Sequence, residues 1–406
     1  MNVLHLQYGS SASGNYTITL HDLMCANGID SHVLSLCTTF KPTDRKIEWL
    51  GRVPNLKSNI DFKIQNFLNR NNNSKFGGFS YPILGTDISQ HKLVIQADVI
   101  YVHWVLNGFL NINSLIKVAK LGKPMVFVLH DMWTFTGGCH HSFDCDKFIS
   151  VCSSCQILPK SKIFDRSSHL FRKKLKFFQS FTNFKFVAPS IWMKDKAESS
   201  KILEGKSINY IPNSVSPKFY QSKKSEARGK YGLVPGRKVI GFGANYVNSP
   251  YKGFELLLRA LQCLGDTSDI SSYQILVFGM LPNEGFFDFL PIDVFPTGYL
   301  KDEDSIRMAY CAMDVFVIPS VAESGPITAI ESQKCGVPVV SFKVGGLPQM
   351  IDHKENGYLA SGFDSKDLAK GIVYCLENNL GGYLKPDFES TSIFAKHLEM
   401  LNQMAV

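Results

Sequence analysis

Two glutamates with seven residues between them, Glu323 and Glu331, bracket a Gly-Pro step in residues 322–336, AESGPITAIESQKCG. The stretch follows an apolar run, DVFVIP at 314–319, which reads as a strand. Pro326 suits the first position of a helix, where its missing N–H costs nothing, and Gly325 lets a ligand approach the backbone closely. A helix starting there points the N–H groups of Ile327 and Thr328 outward, and with the helix dipole these make an anion site. Glu323 then lies in the loop before that site, and Glu331 about a turn and a half into the helix. A plainer reading fits the same residues. Thr328 to Glu331 matches a capping box, in which Glu331 serves only the helix start and Glu323 is an ordinary loop acid.

A second group with chemistry in its spacing is Cys139, Cys145, Cys152 and Cys155, four thiols within seventeen residues. Tetrahedral thiolate sites of this kind hold zinc, so the loop is expected to carry a structural zinc staple, with His140 or His141 able to replace one thiol. A disulfide is disfavoured in a reducing compartment. Asp144-Cys145-Asp146 has the form of a D-x-D metal motif but lies inside the cysteine loop, away from any strand end, and reads as coincidence.

Positioning these groups needs a large scaffold. The chain has 406 residues, enough for two domains. Hydrophobic residues make up 45% and charged residues 19%, as in an ordinary globular protein. The net charge of +8 favours anionic partners such as nucleotides or acidic lipid. The start, MNVLHLQYGS, lacks a basic leader, and no run approaches the ~20 apolar residues that span a bilayer; a cytoplasmic location is expected.

Short apolar strands alternate with helices throughout. Strands are expected at 1–6, 31–36, 98–103, 125–130 and 184–188, then at 238–243, 274–279, 314–318 and 338–342. A turn-rich segment, YIPNSVSP at 210–217, leads into the basic, polar run 221–230 and reads as a linker. The expected architecture is α/β, two doubly wound Rossmann-like domains: 1–210, carrying the cysteine loop 139–155, and 211–390, with a C-terminal helix at 391–406 able to cross back to the first domain. Parallel sheets bind ligands at the carboxyl ends of their strands, and two such domains facing each other form a cleft. The segment GFGANY at 241–246 lacks the third glycine of a dinucleotide fingerprint, which argues against a dehydrogenase.

At this point the residues resemble a known family. The run YCAMDVFVIPS at 310–320, then Glu323 and Glu331, then CGVPVV at 335–340 and Gly345-Gly346, together with HDMWTFTGGC at 130–139, is similar to the retaining glycosyltransferases of family 4, which have the GT-B fold. The resemblance spans nearly the whole chain. It implies a nucleotide-sugar donor, UDP-linked or GDP-linked, and no catalytic metal. It implies that Glu331 accepts the ribose hydroxyls, that Glu323 contacts the donor sugar near its 3- and 4-hydroxyls, and that the backbone around Gly325, Pro326 and Ile327 faces sugar and diphosphate. Lys252, in YKGF at 251–254, would offset charge on the leaving diphosphate. Many relatives carry an arginine a few residues before that lysine; residues 243–249, GANYVNS, have none, and Asn245 stands in that region. Tyr299 falls where the nucleobase packs, His130 projects toward the donor sugar, and Gly14 lets the first loop approach the diphosphate. His103 and Trp104 face the acceptor side. The family has no settled nucleophile, and its usual proposal lets the leaving phosphate oxygen take the acceptor proton.

The resemblance implies a saccharide acceptor, lipid-linked in many relatives, and a role in bacterial surface polysaccharide assembly. Two segments join basic and apolar residues as acidic-membrane surfaces do: 41–85, with eight basic and three acidic residues, and HLFRKKLKFF at 169–178, which could equally be a helix packed on the sheet. The contrasting expectation is a non-catalytic nucleotide-sugar binder, or a nucleic-acid binder with a zinc knuckle; the presence of Glu323, Glu331 and Lys252 together favours the enzyme and no nucleic acid partner.

Overall fold

The structure is a computed structural model of the 406-residue chain. It describes all residues except 11–15, 39–45, 74–76, 161–163, 268, 282, 284, 288–289, 291 and 405–406. Gly14 lies outside the described residues. The chain divides into two compact units, Met1–Asn213 with Ser390–Val406, and Ser214–Glu389.

The first unit holds a seven-stranded parallel sheet of β1 (Asn2–Ser10), β2 (Asp30–Thr38), β3 (Ile47–Trp49), β4 (Val99–Val102), β5 (Met125–Val128), β6 (Phe184–Ala188) and β7 (Ile208–Tyr210), in the order β3-β2-β1-β4-β5-β6-β7. β4, Val-Ile-Tyr-Val, and β5, Met-Val-Phe-Val, are buried at every position, as strands covered on both faces must be. The chain reverses its direction of travel between β1 and β4, and the crevice there is where such sheets take ligands.

The second unit repeats the plan with β8 (Lys238–Tyr246), β9 (Tyr273–Met280), β10 (Asp293–Gly298), β11 (Val315–Ile318), β12 (Val339–Phe342) and β13 (Gly357–Ala360), in the order β10-β9-β8-β11-β12-β13. Its switch point lies between β8 and β11. The expected class, two doubly wound parallel-sheet domains, is the one found.

Three local expectations are corrected. The polar run after residue 220 is not all linker: Lys224–Lys230 is a helix, held by Arg228 and Lys224 on Asp314 at 2.6 and 2.8 Å. β3, β7, β10 and β13 were not expected; they have three to six residues, and β10, Asp-Val-Phe-Pro-Thr-Gly, shows no strict alternation and contains a proline. The helix Arg166–Gln179 turns Leu170, Phe171, Phe177 and Phe178 into the core, so its apolar side is spent on packing and offers nothing to a bilayer.

Candidate functional site

In the second unit the switch point gathers Lys252, Glu323 and Ser320. Lys252 Nζ lies 2.6 Å from Glu323 Oε1, and Ser320 Oγ donates to the same oxygen at 2.7 Å. β11 delivers Ser320 and Glu323 just past its carboxyl end, while Lys252 ends a short 3₁₀ turn, Pro250–Lys252, after β8. Gly253 makes this approach possible. It has φ +70°, and a Cβ there would stand 1.8 Å from the Pro319 carbonyl oxygen. The Val321 N–H closes the contact by donating to the Tyr251 carbonyl at 2.9 Å. Burial pulls the Lys252 ammonium toward deprotonation, but the Glu323 carboxylate and Tyr251 outweigh it, so its pKa stands above the usual lysine value. Lys252 therefore keeps its charge in a largely desolvated place, where charge acts strongly on a ligand.

The helix expected after the Gly-Pro step is present as Ile327–Lys334. It begins one residue later than expected. Pro326 is the residue before the first turn, and no side chain caps that turn. The capping-box reading is therefore corrected, because Thr328 lies inside the helix and not at its start. Gly325 and Pro326 are buried, and Ile327 is half-buried. Glu331 is buried at 5% exposure, and Tyr310 Oη donates to its Oε2 at 3.0 Å. Burial raises the Glu331 pKa to about 7 against the opposing Tyr310 hydrogen bond, with Glu303 adding to the rise. Glu331 thus pairs with Tyr310, and Glu323 with Lys252: the two glutamates have separate partners.

The remaining positions are more open. Asn245 is exposed near the end of β8, beside an irregularity in its pairing with β9. Tyr299 directly follows β10 and is 42% exposed.

In the first unit, His130 follows β5 and His103 follows β4, on neighbouring strands. They touch: His103 Nδ1 lies 3.0 Å from His130 Nε2. Both line a cavity with Trp104, Asp131, Trp133 and Thr134. Asp131 was not singled out from the sequence as a site residue. Its Oδ1 accepts the Trp133 N–H at 2.7 Å and caps the 3₁₀ turn Met132–Phe135, while its Oδ2 meets His140 Nδ1 at 2.6 Å. Burial works against the charged form, yet His140 and the Trp133 N–H win and hold the Asp131 pKa at about 2. Lys174 was also missed. It is fully buried, donates to the carbonyls of Trp133 and Thr136, and sits 3.5 Å over the Trp133 ring. Burial pulls its pKa down to about 7, opposed by Cys139, Cys152 and Asp131.

The structure gives no support to the zinc staple expected from Cys139, Cys145, Cys152 and Cys155. Among the described residues no three His, Cys, Asp or Glu side chains are grouped to hold a metal ion. The four cysteines are free thiols, and burial pushes Cys139 and Cys152 up to about 12. Cys152 Sγ instead accepts the Gly137 N–H at 3.2 Å, and the loop is tied by Thr136 Oγ1 donating to the Cys139 carbonyl at 2.7 Å. His140, the spare ligand, is committed to Asp131 and Ser80.

Residues 237–378 match the family model for group 1 glycosyl transferases. That segment contains Lys252, Ser320, Glu323 and Glu331. A D-inositol 3-phosphate glycosyltransferase of Mycobacterium marinum is 32% identical over 180 residues, 40% of this chain and 35% of that protein. D-inositol 3-phosphate glycosyltransferase 2 of Catenulispora acidiphila is 40% identical over 174 residues, 39% of this chain and 40% of that protein. The chain thus matches well under half the length of these relatives. Among solved structures, Anabaena HepE in complex with UDP has a TM-score of 0.62 at 18% identity, covering 99% of this chain and 100% of that one. WaaG, a glycosyltransferase involved in lipopolysaccharide biosynthesis, has a TM-score of 0.60 at 13% identity, covering 100% and 95%. These likenesses extend over both units and establish the GT-B fold.

Proposed function

We propose that this chain is a retaining glycosyltransferase of the family 4 type, moving a hexose from a nucleotide-sugar to a saccharide acceptor. The observation that carries the reading is the Lys252–Glu323–Ser320 cluster at the β8/β11 switch point, inside the segment that matches the group 1 glycosyl transferase model. A charged lysine fixed beside a carboxylate suits a diphosphate next to a sugar: the ammonium takes the leaving phosphate, and the carboxylate takes sugar hydroxyls. Glu331 takes the ribose, the backbone at Gly325 to Ile327 faces the diphosphate, and Asn245 and Tyr299 border the nucleotide. Within residues 1–213, His130 and Gly14 are the residues that the family resemblance assigns to donor recognition. UDP is the first donor nucleotide to try, since HepE was solved with UDP and with UDP-glucose; GDP is second.

The acceptor is proposed to be lipid-linked, at the cytoplasmic face of a membrane, during surface polysaccharide assembly. No helix among the described residues is long and apolar enough to cross a membrane. The support is the helix Arg52–Asn69, which leaves Val53, Leu56, Ile60 and Phe67 exposed along one side with Arg52, Lys57, Lys63 and Arg70 exposed about them. An apolar stripe edged by cations suits an acidic bilayer.

Calorimetry of the purified chain against UDP, GDP and their common sugars, beside Glu331→Ala, tests the donor reading. Selective binding of one nucleotide that the variant loses supports it. Absence of nucleotide binding, or equal binding by the variant, overturns it. Binding with no transfer to any saccharide would favour a non-catalytic nucleotide-sugar binder.

A further inference from the structure

Beneath His130 the first unit contains a chain of imidazoles. His130 Nε2 lies 3.0 Å from His103 Nδ1, and His103 Nε2 lies 2.9 Å from His5 Nδ1. His5 comes from β1 and is fully buried, and its remaining nitrogen, Nε2, is buried with no hydrogen-bond partner. Tyr101 stands 5.0 Å from the His5 ring, and Tyr16 5.8 Å from the His130 ring. Both tyrosine hydroxyls contact His397, at 3.1 Å each, so the rings around the chain are themselves held in place. His130 Nδ1 has no hydrogen-bond partner among the described residues.

Burial lowers the pKa of all three imidazoles, that of His130 to about 4, with neighbouring imidazoles adding to the effect on His5 and His103. Each is therefore neutral near pH 7 and has one N–H and one lone pair. Each of the two contacts needs one of each. If His103 is to satisfy both, all the protons must point the same way. Pointing inward, they leave His5 Nε2 as a buried N–H with nothing to receive it. Pointing outward, they leave His5 Nε2 as a bare lone pair and place a proton on His130 Nδ1. Orphaned N–H donors are rarer in protein interiors than acceptors left short of a partner.

We propose that the chain His5–His103–His130 runs outward and locks His130 as its Nδ1–H tautomer, with His103 and His5 as positioning residues. His130 then offers a ligand oxygen a neutral N–H donor. It does not offer a base, because its lone pair is occupied by the His103 N–H. The proposal rests on the reading of His130 as a substrate-facing residue, and it deepens that reading. A hydroxyl or phosphate oxygen is what such a donor selects, and the proton lost by the acceptor must leave by another group.

The tautomer can be read without any transferase assay. Long-range proton–nitrogen correlation on protein labelled with nitrogen-15 histidine separates Nδ1–H from Nε2–H rings, and His130→Asn identifies the signal. The expected result is an Nδ1–H ring for His130. His103→Leu should return it toward the Nε2–H form, and His103→Gln, whose amide can accept from His5 and donate to His130, should keep it. An Nε2–H ring in the unaltered protein, or an unchanged His130 signal in His103→Leu, overturns the proposal. Should His103→Leu fail to fold, His5→Leu serves, because it removes the orphan atom that sets the direction. His130 should then populate both forms, and a pure Nδ1–H signal would remove His5 from the proposal. In turnover, His103→Leu should lower kcat about tenfold, the worth of one hydrogen bond, with His103→Gln restoring it. An unaltered protein that shows the tautomer but transfers no sugar defeats the proposed function and leaves the wiring intact.

Discussion

At the scale of single residues, the two glutamates that stand out in the sequence are both buried but differ in their partners: Glu323 meets the Lys252 ammonium, and Glu331 only the neutral Tyr310 hydroxyl. Glu331 is a buried acid with its pKa raised from 4.5 to about 7. A raised acid pKa means the folded chain holds a proton that the unfolded chain releases. Stability is therefore unaffected by this group below about pH 4.5, falls as pH rises from there to about 7, and is level above that. Glu331→Gln removes that penalty while keeping an acceptor for Tyr310. The excess of its melting temperature over that of the unaltered protein should be full near pH 8 and shrink as pH falls toward about 4.5, which scanning calorimetry checks. The same change should abolish nucleotide binding, since a ribose diol wants an ionised acceptor. For the same reason, affinity in the unaltered protein should climb as pH rises through about 7, in a calorimetric titration series. Lys252→Ala should cost about 10²–10³ in kcat, the usual effect of removing one charge-stabilising donor, with a smaller change in KM. The positions of Glu323, Glu331 and Lys252 were visible in the sequence. Their partners were not: Tyr310 is 21 residues from Glu331, and Lys252 is 71 from Glu323. Asp131 sat in plain view beside His130, and only its double contact with Trp133 and His140 shows what it does.

At the scale of elements, the sequence showed where strands and helices lie better than which way they face. Central strands such as β11, Val-Phe-Val-Ile, announce themselves as unbroken apolar runs, whereas three-residue β3 and β7 do not. The basic run 169–178 had helical spacing, but spacing cannot say that Lys174 is fully buried under Trp133 while the apolar stripe of Arg52–Asn69 is left outside. That contrast assigns the membrane prediction to the second helix. Leu56→Glu with Ile60→Glu should abolish co-sedimentation with phosphatidylglycerol vesicles and leave the melting temperature nearly unchanged, because both side chains are exposed. If the doubly substituted chain still pellets, this helix is not the contact. The turn before Phe254 gives a prediction of the opposite kind. Gly253→Ala drives a methyl into the Pro319 carbonyl and strains a left-handed backbone, at a cost of about 1–3 kcal/mol. Circular dichroism should show the lower melting point, and donor affinity should fall with it as Lys252 is displaced.

At the scale of the whole chain, alternation of strands and helices was enough to read two doubly wound sheets, while the strand orders, and so the two switch points, depend on pairings far apart in sequence. The last helix, Ser390–Asn402, shows why. Its His397 meets Tyr101 and Tyr16 across 296 and 381 residues of sequence, and Ile393, Met400 and Leu401 are buried with it. No local pattern encodes such a contact. Contacts group this helix with residues 1–213 and not with the unit that precedes it in the chain, and that grouping has a thermodynamic consequence. Ending the chain at Glu389 removes three buried apolar side chains worth about 1.5–3 kcal/mol each, bares the surface they cover, and leaves two tyrosine hydroxyls without their imidazole. The sum rivals the entire stability of a typical domain. Scanning calorimetry of the shortened chain should therefore show the transition of residues 1–213 lost or shifted far down. Residues 214–389, whose core is untouched, should keep their own transition and their affinity for the donor nucleotide. Equal loss in both would mean that the second unit does not hold the nucleotide by itself. An undisturbed first transition would mean that the Tyr16–His397–Tyr101 contact contributes nothing to the unit that contains it.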